Sequence, residues 1–205
     1  ELSSDSDFGV AFISNSFDET TGKGVMSFSG DVLKIGAKAF EKCSNLTSVT
    51  LPDGVTSIGD RAFYSCSNMA SVNIPDGVTA IGSNAFYSCK ALTEVVIPEG
   101  VTRIGNGVFH DCSSLAIVTI PNGVTSIGNR AFIYCSGLSS VTIPSSVTAI
   151  GKYAFMACNN LYDVYCYATT PPTADQSSFT NYNAFWFWNC NVFSWNTWRI
   201  YVENV

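Results

Sequence analysis

Apolar residues recur along this chain at fixed intervals. Phe40, Phe63, Phe86, Phe109, Phe132 and Phe155 form one series, and Cys43, Cys66, Cys89, Cys112, Cys135 and Cys158 form a second. Ile35, Ile58, Ile81, Ile104, Ile127 and Ile150 form a third, and every series steps by 23 residues without an insertion or deletion. Within a unit the spacing changes character. Leu46, Val49 and Leu51 read L-x-x-V-x-L, which places Val49 and Leu51 on one face of a short strand. Pro52-Asp53-Gly54 then predicts a turn, because proline presets φ and glycine tolerates the corner. Ile58, Ala62, Phe63 and Cys66 follow at i, i+4, i+5 and i+8, a spacing that predicts a short helix or helical turn with one inward face.

Such a unit cannot bury its apolar face alone, so the copies must stack. Their strands are expected to form a parallel sheet, with the helical turns on the opposite side. A repeat in the twenties with this pattern predicts an α/β leucine-rich-repeat solenoid, right-handed, with the sheet on its concave side and the turns on its convex side. An unbroken repeat argues for one elongated domain over residues 1–205, in which 29–166 are repeats, 1–28 an N-terminal cap and 167–205 a C-terminal cap.

The string I-P-x-G-V-T-x-I-G-x-x-A-F-x-x-C-x-x-L resembles the BspA-like leucine-rich repeats of bacterial cell-surface and secreted proteins. The resemblance runs from about Met26 to Cys166, with Met69 for Leu, Val108 for Ala and Ser146 for Gly as departures, and Cys166 at the second strand position. It implies adhesion, with host extracellular-matrix proteins or other cells as partners, and an extracellular or cell-surface location.

The ends depart from the repeat. Phe8, Val10 and Phe12 alternate with smaller residues, and Met26 and Phe28 keep the strand register, so Asp7 to Phe28 reads as a β-hairpin cap. Downstream, Thr170-Pro171-Pro172 breaks the register, and Arg199-Ile200-Tyr201-Val202 is expected as a final strand. Trp186, Trp188, Trp195 and Trp198 all lie in this tail. They are expected to form an aromatic lid over the last unit. The competing reading is an exposed contact for glycan, protein or self-association.

Composition narrows the chemistry. The net charge is −6 and only ten Lys and Arg are present, scattered, which disfavours nucleic acid as a partner. No apolar run is long enough to cross a bilayer. The repeat cysteines share an interior row with Phe and Leu and lack the close pairs of a metal site, so they read as a buried ladder with no cofactor or metal implied. Cys166 and Cys190 stand outside that row, and a disulfide between them would tie the tail to the last unit. The single histidine, His110, takes the slot held by Tyr64 and Tyr87, and no catalytic residue or enzymatic activity is expected.

What remains is the outward side of the sheet. Its positions are Ser48 and Thr50, Ser71 and Asn73, Glu94 and Val96, Ile117 and Thr119, Ser140 and Thr142, and Asp163 and Tyr165. They make a small, hydroxyl-rich strip with an apolar centre at Val96 and Ile117, bordered by Asp53, Asp76, Glu99, Asn122 and Ser145. The expected function is a protein-interaction or adhesion module that binds a macromolecule through this strip. The alternative is a spacer or carbohydrate-binding segment of a larger surface protein, acting through the tryptophan tail.

Overall fold

A computed structural model describes residues 8, 12–18, 23–168, 172–174, 176–179, 194–195 and 198–201. The chain winds as a parallel-strand β-solenoid in which each 23-residue unit makes one coil. Every coil contributes a three- or four-residue strand and a two-residue strand. The longer strands are Ser48–Thr50, Ser71–Asn73, Glu94–Val96, Ile117–Thr119, Ser140–Ile143 and Asp163–Cys166. They pair parallel and in register two by two: Ser48–Thr50 with Ser71–Asn73, Glu94–Val96 with Ile117–Thr119, and Ser140–Ile143 with Asp163–Cys166. The shorter strands, Lys34–Ile35 through Ala149–Ile150, form a second parallel file with Ile35↔Ile58, Ile58↔Ile81 and Ile127↔Ile150 as partners. This second file lies where the spacing predicts only a passage from the Pro-x-Gly corner into a helix.

The expected helix does not form. Among the described residues there is no α-helix, and the one helical segment is a 3-10 turn at Gln176–Phe179. The Ala-Phe segments are chains of tight turns instead. Alternate amides, such as those of Ala39, Glu41 and Cys43, donate three residues back to Gly36, Lys38 and Phe40. The amides between them leave the coil. Lys38, Phe40 and Lys42 donate to the carbonyls of Asp60, Ala62 and Tyr64 in the next unit. An α-helix would need every amide for its own i−4 carbonyl, so the two arrangements exclude each other. Two positions per turn take a left-handed backbone to make this possible, among them Lys38 at φ 62° and Lys42 at φ 61°, and equivalents down to Tyr153 and Ala157.

The core runs between the two strand files and the turns. Phe40, Phe63, Phe86, Phe109, Phe132 and Phe155 stack face to face, with centroids 5.1–5.5 Å apart. Each repeat cysteine from Cys66 onward donates its Sγ–H to a Phe carbonyl of the previous coil, as Cys66 does to Phe40 at 3.0 Å. These thiols are hydrogen-bonded core members and not cross-links. Burial pushes the pKa of Cys66 and Cys158 up to about 12, and raises those of Cys89, Cys112 and Cys135 as well. Outside, Thr79, Thr125 and Thr148 repeat a bond from Oγ1 to the carbonyl of the threonine one coil earlier.

Glycine is required at one corner and replaced at another. A Cβ at Gly151 would stand 2.5 Å from the Asn129 backbone nitrogen, so this corner needs glycine for close approach between coils. At the last Pro corner Ser146 replaces glycine, and its Oγ–H donates to the Val124 carbonyl at 2.7 Å.

At the ends, β1 (Phe12–Asp18) and β2 (Lys23–Phe28) form an antiparallel hairpin with a bulge near Phe12. Phe8 meets Phe40 edge-on at 5.9 Å. The register expected to break at the two prolines resumes. Thr173–Ala174 pairs with Ala149–Ile150, and Phe179 stacks on Phe155 at 4.9 Å. The Phe155 amide donates to the Ser178 carbonyl, and the Ser178 hydroxyl to the Gly151 carbonyl, so this stretch acts as a further partial coil. A last strand, Trp198–Tyr201, pairs parallel with Asp163–Cys166, near the expected 199–202. Cys166 is a half-buried thiol; Cys190, and with it the expected bridge, lies outside the described residues. So do Trp186 and Trp188 and the side chains of Trp195 and Trp198, and with them the aromatic lid.

Candidate interaction surface

The longer strands point alternate side chains in and out. Val95, Val118, Val141 and Val164 turn into the core. Ser48, Thr50, Ser71, Asn73, Glu94, Val96, Ile117, Thr119, Ser140 and Thr142 are exposed. Asp163 and Tyr165 are half-buried; their strand is the one flanked by Trp198–Tyr201. The exposed positions thus recur on successive coils, and the last pair sits beside an added strand.

Its centre is unusual. Val96 is 65% exposed and Ile117 59%. They lie on paired strands, diagonal to one another, since Val96 faces Thr119 and Ile117 faces Glu94. Adjacent strands lie about 4.8 Å apart, so the two side chains form one apolar spot on neighbouring coils. Asp53, Asp76, Glu99, Asn122 and Ser145 occupy equivalent corners of successive coils and are all exposed.

The turn side carries a second pattern. Tyr64 and Tyr87 stack at 4.6 Å, and His110 leans against Tyr87 at 4.1 Å and Tyr134 at 5.8 Å. The signal was present as a 23-residue step from Tyr64 to Tyr87 to His110. Arg61 lies over the Tyr64 ring at 4.3 Å and pairs with Glu41. Asp111 accepts from Ser88 and pairs with Lys90 at 3.2 Å. Burial lowers the pKa of His110 from the ordinary histidine value; Asp111 opposes this and Arg130 adds to it. Tyr64 and Tyr87 stack on one another along the file, while His110 meets its two neighbours at a tilt and Tyr134 stands exposed.

Among the described residues no three His, Cys, Asp or Glu side chains are placed to hold a metal ion. An open depression of about 480 Å³ over the short-strand file, bordered by Gly128, Asn129, Gly151, Lys152 and Thr173, has no histidine or carboxylate in its lining. No described helix is long and apolar enough to cross a membrane.

Comparison with known proteins agrees with this geometry. Residues 33–162 match the family model for the BspA type leucine rich repeat region, in six copies. A leucine rich cell surface protein from Faecalibacterium prausnitzii is similar at 41% identity and a TM-score of 0.63, over 67% of this chain but only 37% of that one. A leucine-rich-repeat protein of T. pallidum is similar at 30% identity and a TM-score of 0.64, over 80% of this chain and 81% of that one. One from Bacteroides ovatus gives 31% identity and 0.58, over 77% and 40%. No curated protein matches the chain.

Proposed function

The chain belongs to the BspA-type leucine-rich-repeat family, and from that premise we propose that it is a non-enzymatic binding module that takes a protein partner on its long-strand sheet. The observation that carries this reading is the exposed Val96 and Ile117 pair at the centre of a polar face. Apolar side chains standing in water, rimmed by polar ones, are where a partner gains most by removing area from solvent.

Charge sets the kind of partner. The strand and corner segments 46–55, 69–78, 92–101, 115–124, 138–147 and 161–168 contain Asp53, Asp76, Glu94, Glu99 and Asp163 and no lysine or arginine, and the sheet's one base, Arg199, lies at its end in register with Asp163. The bases of the same coils, such as Lys38, Arg61, Arg103, Arg130 and Lys152, lie on the turns and the short strands. A complementary surface is an apolar patch framed by lysine or arginine. Similarity to a cell surface protein supports a cell-surface or extracellular setting. It makes extracellular-matrix proteins the partners to try first.

The test is binding of the intact chain to a panel of such proteins, beside a Val96→Asp plus Ile117→Asp variant. Both side chains are more than half exposed, so the variant is expected to fold. Its affinity should fall at least about tenfold, the equivalent of 1.4 kcal/mol. Undiminished binding by a folded variant would move the interface off this sheet.

A further inference from the structure

Two Asn-Gly dipeptides occur in the chain, Asn106-Gly107 and Asn122-Gly123. Asparagine before glycine is the most reactive setting for loss of the side-chain amide, because no Cβ on the following residue hinders attack by its backbone nitrogen. The two sites differ sharply in how the coil holds the reacting atoms. At Asn106 the side-chain Oδ1 accepts from the Asn129 amide at 2.8 Å. The Gly107 amide, which would be the nucleophile, donates to the Asn129 carbonyl at 2.9 Å. Both partners of the reaction are thus pinned to the next coil, and Gly107 is itself buried.

At the Pro121 corner neither restraint exists. Asn122 is exposed, and the Gly123 amide stands in a turn closed by the Val124 amide on the Pro121 carbonyl. Neither the Asn122 side chain nor the Gly123 N–H has a hydrogen-bond partner among the described residues. We propose that Asn122 is a self-modification site, at which the folded protein converts an amide to a carboxylate while Asn106 is protected. The Gly123 nitrogen gives its proton to solvent base and attacks Cγ of Asn122. The N–Cγ bond forms, the Cγ–Nδ2 bond breaks, and ammonia leaves. Water then opens the five-membered imide at either carbonyl, giving an aspartyl or isoaspartyl residue. No oxidant, reductant or cofactor enters the balance.

The position gives this chemistry a consequence. Asn122 is the next member of the corner file after Asp53, Asp76 and Glu99. Its conversion extends that acidic edge by one coil, on the coil that carries Ile117 and Thr119. The acidic border of the sheet therefore grows with the age of the molecule. This proposal stands on the corner's geometry and does not depend on the sheet being an interface.

The experiment is incubation of the folded chain at mildly alkaline pH, followed by tryptic mapping. Both sites fall in the one peptide between Arg103 and Arg130, so fragment ions assign the amide-to-acid mass gain to one or the other. A chain held unfolded in denaturant serves as reference, and Asn122→Gln, whose longer side chain closes the ring poorly, as control. Position 122 should convert at least about tenfold faster than position 106 while folded, since two hydrogen bonds must first break at Asn106. The two rates should converge in denaturant, and the control should lose the gain. Equal rates in the folded chain, or faster conversion at Asn106, would overturn the proposal. So would a folded Asn122 that stays intact while the unfolded one converts.

Discussion

Gly82 and Gly105 fill equivalent places in neighbouring coils and face different surroundings. A Cβ at Gly82 would run into the backbone nitrogen of Asp60, which cannot yield without opening the coil stack. At Gly105 the nearest atom to such a Cβ is the Ile81 carbonyl oxygen at 3.5 Å, an ordinary contact. Gly82→Ala is therefore expected to destabilise by about 2 kcal/mol or more, as overpacking against rigid backbone does. Gly105→Ala should stabilise by about 0.4–1 kcal/mol, by restricting the unfolded chain. Thermal or urea unfolding of the two variants separates these outcomes, and equal losses would show the corner to be uniform. The glycines were visible in the sequence as a row of Ile-Gly pairs. Which of them are packed against a neighbour depends on distances between coils, and no local signal encodes those.

At the scale of the element, the turn segments show how spacing can mislead. Ile58, Ala62, Phe63 and Cys66 do share one inward face, and all four are buried. A helical pattern of burial was legible; the backbone that achieves it was not. Stacked coils supply carbonyls 22 residues on, and those compete with the i−4 carbonyl for the same amides. A substitution distinguishes the two backbones. Glycine in a helix interior costs about 1 kcal/mol relative to ordinary residues. A left-handed non-glycine residue instead carries about 1–2 kcal/mol of strain that glycine relieves, offset in part by about 0.5–1 kcal/mol of unfolded-state entropy. Lys38→Gly should accordingly leave stability unchanged or raise it slightly in chemical denaturation. A clear loss would restore the helix.

For the whole molecule, the thiol ladder makes stability depend on alkali. Cys66, Cys89, Cys112, Cys135 and Cys158 each have a folded pKa raised above the ordinary 9.0, chiefly by burial. Above that pH the unfolded chain releases these protons and the folded chain keeps them, so stability is full below about pH 9 and declines as the pH climbs toward the folded values. Each thiol takes away roughly 1.4 kcal/mol per pH unit in that window. Five together approach the total stability of a typical domain, about 5–15 kcal/mol, within one to two units. Circular dichroism across that range should show a steep transition, made shallower by Cys112→Ala. An equally steep transition in that variant would assign the pH dependence to other groups.

The sequence alone determined the period, the inward rows of Phe, Cys, Ile and Leu, the stacking of the coils and the outward positions from Ser48 to Thr142. Those follow from translational repetition, since a residue repeated every 23 positions meets its own kind in the next coil whatever the backbone does between. Only the tertiary structure decided what lies between coils. It replaced the helices with turns, added the second file of strands, sent the thiols to phenylalanine carbonyls, and carried the coil past Pro172 to Phe179. Each of these rests on hydrogen bonds or contacts between residues more than twenty positions apart, whose partners exist only once the coils are stacked.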